Sequence, residues 1–166
     1  IHAALGSMLA EQGNFDDAIA AYRKAIEINP RFAELRRKLA FMLFQLDRLE
    51  EAAEEYKGAL DVSPGHAMAW YRYGRTLERL GRTQEAADAY RRAVEVDEEL
   101  TEAWVNLGTM LQAQGKVTEA IRAYRRALAI NPNSFEAHFN LASALSAEGR
   151  LDESYRELLA AISIRS

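Results

Sequence analysis

His2, His66 and His138 are the residues of this chain whose type suits metal ligation or general base work. They stand 64 and 72 residues apart, with no His-Glu-x-x-His helix and no local acidic set to complete a site. His66 falls in a turn and His138 in a packing slot, so both read as structural. Glu50/Glu54 and Glu51/Glu55 pair carboxylates at helical spacing, the mark of a solvated face. Gly58 and Gly65 belong to no Gly-x-x-x-x-Gly-Lys loop that could cradle a phosphate. There is no cysteine, which removes disulfides, thiolate zinc sites and thiol nucleophiles. The residues thus offer no catalytic constellation, no metal site and no cofactor site.

Composition narrows the field further. The chain has 166 residues, 49% of them apolar and 28% charged, a globular balance. Its net charge of −4 argues against non-specific nucleic-acid binding and against a polybasic membrane patch. The longest apolar run, from Leu39 to Phe44, is six residues, far short of the roughly 20 needed to insert across a membrane. The chain begins at Ile1 without an initiator methionine or signal pattern, so a fragment or processed product is expected. A soluble, cytoplasmic protein is expected too, although missing cysteine does not itself assign a compartment.

The organising feature is a repeat. Tyr22, Tyr56, Tyr90 and Tyr124 recur every 34 residues, with Ala18, Ala52, Ala86 and Ala120 before them and Ala25, Ala59, Ala93 and Ala127 after them. A fixed period of this size marks a stack of small units that bury their apolar faces only against neighbours. Apolar spacings of three and four predict first helices over 1–12, 33–46, 67–80, 101–114 and 135–148. They predict second helices over 15–28, 49–62, 83–96, 117–130 and 151–164. Gly13, Gly81, Gly115 and Gly149 stand where a left-handed C-cap wants glycine, and Asp47 takes that place in the second repeat. Pro30, Pro64 and Pro132 follow second helices; Glu98 stands there in the third repeat, which predicts a more continuous junction.

This pattern resembles the tetratricopeptide repeat, with its Trp-x2-Leu-Gly-x2-Tyr…Ala-x3-Phe…Pro signature. Trp104, Leu107, Gly108, Leu111, Ala120, Tyr124 and Pro132 carry it, as do Trp70, Tyr73, Gly74, Leu77, Ala86 and Tyr90. Leu5, Gly6, Leu9, Ala18, Tyr22 and Pro30 carry it in the first repeat. The second and fifth are looser, with Arg36 and His138 in the tryptophan place and Leu158 in the tyrosine place. The resemblance implies an all-α, right-handed α-solenoid of five helix–turn–helix units forming one array over 1–166. The repeats would run approximately 1–32, 33–66, 67–100, 101–134 and 135–166. Gly6, Ala40, Gly74, Gly108 and Ala142 are small so that paired helices can approach, facing Ala18, Ala52, Ala86, Ala120 and Ser154. The tyrosines and tryptophans fill the volume that remains.

By the same resemblance, first helices line a concave face that binds extended peptides or partner helices. The inward places bring together Arg37, Lys38, Arg72, Arg75 and Arg79 with Phe41, Phe44 and Tyr71. Arginine forks take carboxylates bidentately and exposed aromatics supply anchors, so an acidic segment carrying an apolar side chain is the expected partner. The competing reading pairs these cations with Glu34, Glu78 and their neighbours. Asn106 and Asn140 occupy matched places one repeat apart, which resembles the backbone-holding asparagine ladder of O-linked N-acetylglucosamine transferases. Lys38 and Arg72 replace the earlier rungs. A carboxylate clamp like that of chaperone-binding members would fall on Arg37, Phe41, Arg72, Glu102 and Asn106, where Glu102 has the wrong charge.

The expected function is a non-catalytic protein–protein interaction scaffold binding a peptide or helix in its groove. Two alternatives remain open: a substrate-recruiting arm of a larger enzyme such as a protein O-glycosyltransferase, and a self-assembling structural protein. The second rests on Leu151, Tyr155, Leu158, Leu159 and Ile162, which lack a following repeat and suit end-to-end self-association.

Overall fold

Each predicted apolar stripe forms a helix in the computed structural model, which describes residues 1–165; Ser166, the last residue of the expected fifth repeat, lies outside them. Ten helices and no strand occur among the described residues. The chain divides into two units, Ile1–Leu80 and Gly81–Ser166. The first unit holds α1 (His2–Glu11), α2 (Phe15–Ile28), α3 (Ala33–Gln45), α4 (Leu49–Val62) and α5 (Ala67–Arg79). The second holds α6 (Thr83–Val96), α7 (Thr101–Ala113), α8 (Val117–Ile130), α9 (Phe135–Ala147) and α10 (Leu151–Arg165). In each unit, neighbours in sequence pack on one another.

The turns inside helix pairs follow one plan. At Gly13, Gly115 and Gly149 the backbone takes φ of 78°, 75° and 76°, and Asp47 adopts 62° in their place. The next residue then reaches back five positions: Asn14, Arg48, Lys116 and Arg150 donate to Leu9, Leu43, Leu111 and Leu145 at 2.9 Å. This left-handed cap satisfies carbonyls that the helix end leaves open. Asp47 meets the same demand with a Cβ, and its carboxylate accepts from Arg79 at 2.6 Å.

Links from second to first helices use a different device, and here one expectation fails. The junction at Glu98 is as sharply broken as those with proline: α6 stops at Val96 and Asp97 turns out at φ −139°. Asp97 Oδ1 accepts from the Glu99 amide at 3.0 Å, as Asn29 does from Arg31 at 3.3 Å and Asn131 from Asn133 at 3.1 Å. An Asx side chain imitates a backbone turn, so it closes these helices with or without the proline that follows.

The tryptophan place also has a shared task. Trp70 and Trp104 donate from Nε1 to the carbonyls of Pro64 and Glu98, six residues earlier, at 2.7 and 2.9 Å. Arg36 Nε donates to Pro30 at 3.2 Å, and His138 Nε2 meets the Pro132 carbonyl at 2.9 Å. The two polar occupants each have a second nitrogen, and each finds a glutamate 19 residues on: Glu55 at 2.7 Å and Glu157 at 2.6 Å. Behind Trp104 that place is the buried Ala123. Indole, guanidinium and imidazole are interchangeable because the slot asks for one ring-plane N–H.

Packing within pairs is tight where glycine permits it. A Cβ on Gly6 or Gly108 would lie 2.5 Å from the Tyr22 or Tyr124 ring, inside any carbon contact. Ala18, Ala52, Ala86 and Ala120 are completely buried. Ser154 takes the same place in the last pair, where its Oγ donates to the Ala142 carbonyl at 2.8 Å.

Gly108→Ala should lower the urea midpoint, because overpacking of about 1–3 kcal/mol exceeds the helix-propensity gain of about 1 kcal/mol. At Gly58 the nearest atom is Arg36 Nη1 at 3.0 Å, a side-chain end held by Glu55 and not a ring, so Gly58→Ala should lower the midpoint less than Gly108→Ala does. Acid stability gives a second check. The Arg48 hydrogen bond, seconded by Arg23, holds the Glu51 carboxyl at about 2, below its ordinary 4.5. A depressed carboxyl stabilises the fold above its unfolded value and stops doing so as pH falls toward the folded one. Stability should therefore decline between pH 4.5 and about 2 by circular dichroism, with a shallower slope in Glu51→Gln.

Candidate functional site

The first unit brings Arg37, Lys38, Phe41 and Phe44 of α3 next to Tyr71, Arg72, Arg75 and Arg79 of α5. The cations lie over the rings: Arg72 sits 4.4 Å from the Phe41 centroid, while Arg75 and Arg79 sit 5.5 and 5.0 Å from Phe44. Arg75 also lies 6.0 Å from Tyr71. A stacked guanidinium keeps its N–H edges free for a carboxylate. The ion pairs divide the five cations. Lys38 binds Glu34 at 3.1 Å and Arg79 binds Asp47 at 2.6 Å, as a solvated helix face would have it. No ion pair joins Arg37, Arg72 or Arg75 to a carboxylate among the described residues.

Two adjoining cavities open beside these side chains. One, of about 410 Å³, is walled by Glu34, Arg37, Lys38 and His66. The other, of about 170 Å³, is walled by Phe44, Tyr71 and Arg75. Phe41, Tyr56, Met68 and Arg72 line both, so one compartment is cationic and its neighbour aromatic across a shared partition. His66 is the N-cap of α5, its Nδ1 accepting from the Ala69 amide at 3.1 Å. That bond fixes the proton of the neutral ring on Nε2. Burial, and then the Arg37 charge, lowers the His66 pKa below its ordinary 6.5.

Tyr56 is the residue that the repeat pattern conceals. Like the other tyrosines it reads as packing, and its ring is indeed buried. Its hydroxyl, however, finds no hydrogen-bond partner. Tyr22 OH meets Ser7 at 3.1 Å, and Tyr124 OH donates to Gln112 at 3.1 Å with Thr109 at 3.4 Å. Both Ser7 and Thr109 precede their tyrosine by 15 residues; Phe41 holds that place before Tyr56. Burial pushes the Tyr56 phenol up to about 12, and Arg72, through its charge and an N–H beside the phenol oxygen, counters part of the rise. An unpaired buried hydroxyl costs roughly 1–3 kcal/mol.

The asparagines lie in the second unit. Both are half-buried, and Asn106 Nδ2 donates to Tyr90 OH at 3.2 Å, which leaves its carbonyl oxygen and one N–H for other use. A further cleft of about 490 Å³ lies over Trp104 between α6, α7 and α8, with Arg91, Glu119 and Arg126 at its rim. No cluster of three or more potential metal ligands occurs among the described residues, and none of their helices is long and apolar enough to cross a membrane.

A family model described as TPR repeat matches residues 6–47 and 108–149, together half of the chain. Two models described as Tetratricopeptide repeat match residues 43–99 and 135–166. No curated protein matches the chain. Among solved structures, a crystal structure of MamA is similar with a TM-score of 0.90 at 26% identity, over 96% of this chain and 94% of that one. YrrB, described as a TPR protein with an unusual peptide-binding site, is similar with a TM-score of 0.87 at 23% identity, over 98% and 84%. MamA from Desulfovibrio magneticus RS-1 shares the fold at 16% identity, with a TM-score of 0.86 over 99% and 93%. The helix pairs and their left-handed caps lie along the matched stretches, and the chain belongs to the tetratricopeptide repeat family.

Proposed function

We propose that this chain is a non-catalytic interaction module that binds a peptide or helix along the face formed by α3 and α5. The observation that carries this reading is the set of unpaired guanidinium groups, Arg37, Arg72 and Arg75, two of them stacked on Phe41 and Phe44. Neutralised arginines would describe a solvated surface; unpaired ones above aromatic rings suit a ligand that brings carboxylates and an apolar side chain. Lys38 and Arg79, already paired, contribute charge at the edge. Within the second unit, Asn106 and Asn140 are the amides suited to holding a peptide backbone, Asn106 through its carbonyl oxygen.

The groove is tested by selecting random dodecamer peptides, displayed on phage, on the wild-type chain and measuring the enriched peptides by fluorescence anisotropy. Enriched sequences should carry aspartate or glutamate within a few residues of a large apolar residue. Arg72→Glu combined with Arg75→Glu should weaken their binding at least about tenfold, about 1.4 kcal/mol. Absence of enrichment, or equal affinity for both proteins, would remove the basic patch from this reading.

End-to-end self-association is a second reading, favoured by one comparison of equivalent positions. Leu5 and Met8 on α1 are 43% and 57% exposed, whereas Leu39 and Met42, one repeat later, are buried. On α9 and α10, Phe139 and Ile162 are exposed likewise, beside a cavity lined by Phe135 and Leu158. Light scattering against concentration should show growing mass; a constant monomer at high micromolar concentration rules the association out.

A further inference from the structure

We propose that the Tyr56 hydroxyl and the Arg72 guanidinium form one receptor for a side-chain carboxylate of the bound peptide, with the aromatic compartment taking an apolar side chain next to it. This inference rests on the groove reading above and assigns a subsite within it.

The tyrosine ladder supplies the first argument. Tyr22, Tyr90 and Tyr124 each hydrogen-bond a polar side chain of the chain itself. Tyr56 does not, because Phe41 replaces the hydroxyl residue that serves Tyr22 and Tyr124. In the other internal register, Asn106 donates to the tyrosine 16 residues before it, and the same place relative to Tyr56 is Arg72. Here Arg72 is instead turned over Phe41. A buried phenol and a guanidinium with no carboxylate partner thus lie side by side. The guanidinium can approach the phenol oxygen, but the phenol proton and the outer guanidinium edge both still lack an acceptor.

The cavities say which acceptor. Arg37, Lys38 and Arg72 wall the larger compartment against a single carboxylate, Glu34, which Lys38 already holds. His66 has spent its acceptor nitrogen on the Ala69 amide, so in its neutral form it too can only donate toward a ligand. An anionic oxygen fits this set, and a carboxylate has two oxygens, one for the phenol and one for the guanidinium edge. The partition residues Phe41, Met68 and Arg72 are shared with the aromatic compartment of about 170 Å³. A cavity of about 150 Å³ holds benzene, so this volume suits a leucine- or phenyl-sized group. The two ligand side chains must therefore come from neighbouring positions of one segment.

The peptides selected by phage display serve as the probe, fused through their C-termini so that only side chains can present a carboxylate. Tyr56→Phe should weaken an enriched synthetic peptide about tenfold while its urea midpoint stays level or rises, since an orphan hydroxyl has been removed. Replacing the peptide's aspartate or glutamate by its amide should erase the difference between wild type and Tyr56→Phe. Wild-type affinity in Tyr56→Phe, with binding lost in the Arg72→Glu, Arg75→Glu variant, overturns this subsite and leaves the groove reading intact. Equal weakening of acidic and amide peptides by Tyr56→Phe overturns it as well, because the hydroxyl would then act through packing. No enrichment, or no response to either variant, removes both the subsite and the groove.

Discussion

The close approach of a tyrosine ring to a residue with no side chain sets the spacing on which the α1–α2 and α7–α8 pairs depend. At Gly6 and Gly108 the ring of Tyr22 or Tyr124 occupies the very volume a Cβ would need. The completely buried alanines four residues before each tyrosine let the helices meet on the other side. Because dispersion attraction decays within a fraction of an ångström of contact, a larger residue at either place would separate the helices and loosen everything stacked on them. The left-handed caps follow from the same constraint. Helices this close must reverse in three residues, and the turn then needs a residue that accepts positive φ.

Around that fixed contact, chemistry is free to vary where the fold asks only for a geometry. The tryptophan place needs one N–H aimed at a carbonyl six residues back, and indole, guanidinium and imidazole all provide it. Where the occupant has a second nitrogen, a glutamate on the following helix completes it; where it is Trp104, the buried Ala123 leaves room for the wider ring. Polar substitution in the slot is thus compensated locally, and it says little about ligands. The Phe41 substitution differs because nothing in the chain compensates it. It leaves a phenol without a partner, and it places an aromatic ring under Arg72.

That contrast separates two kinds of departure from the repeat. Arg36 and His138 are consistent with one another and with their neighbours, so they belong to the scaffold. Phe41, Tyr56 and Arg72 leave polar groups unmatched inside the first unit, and unmatched donors are costly unless something else meets them. Lys38 and Arg79 belong with the first kind, since Glu34 and Asp47 hold them.

The sequence by itself determined the helices, their pairing and the caps, because a 34-residue period repeats one set of local demands and each is met by near neighbours. Even Asp47 was legible as a stand-in for glycine. Proline alone misled at Glu98, since the turn is made by the Asx residue before it, a signal present at Asn29, Asp97 and Asn131. The basic and aromatic residues of α3 and α5 were also legible as a set, because their places in the repeat put them on one face. Which of those cations were already neutralised was not, for an ion pair such as Arg79–Asp47 spans 32 residues and depends on rotamers. The sequence does carry Phe41 where Ser7 and Thr109 stand before their tyrosines, but it does not show that this place serves the hydroxyl. Whether a buried hydroxyl is satisfied depends on which side chain of another helix faces it, and only the tertiary structure puts Phe41 there.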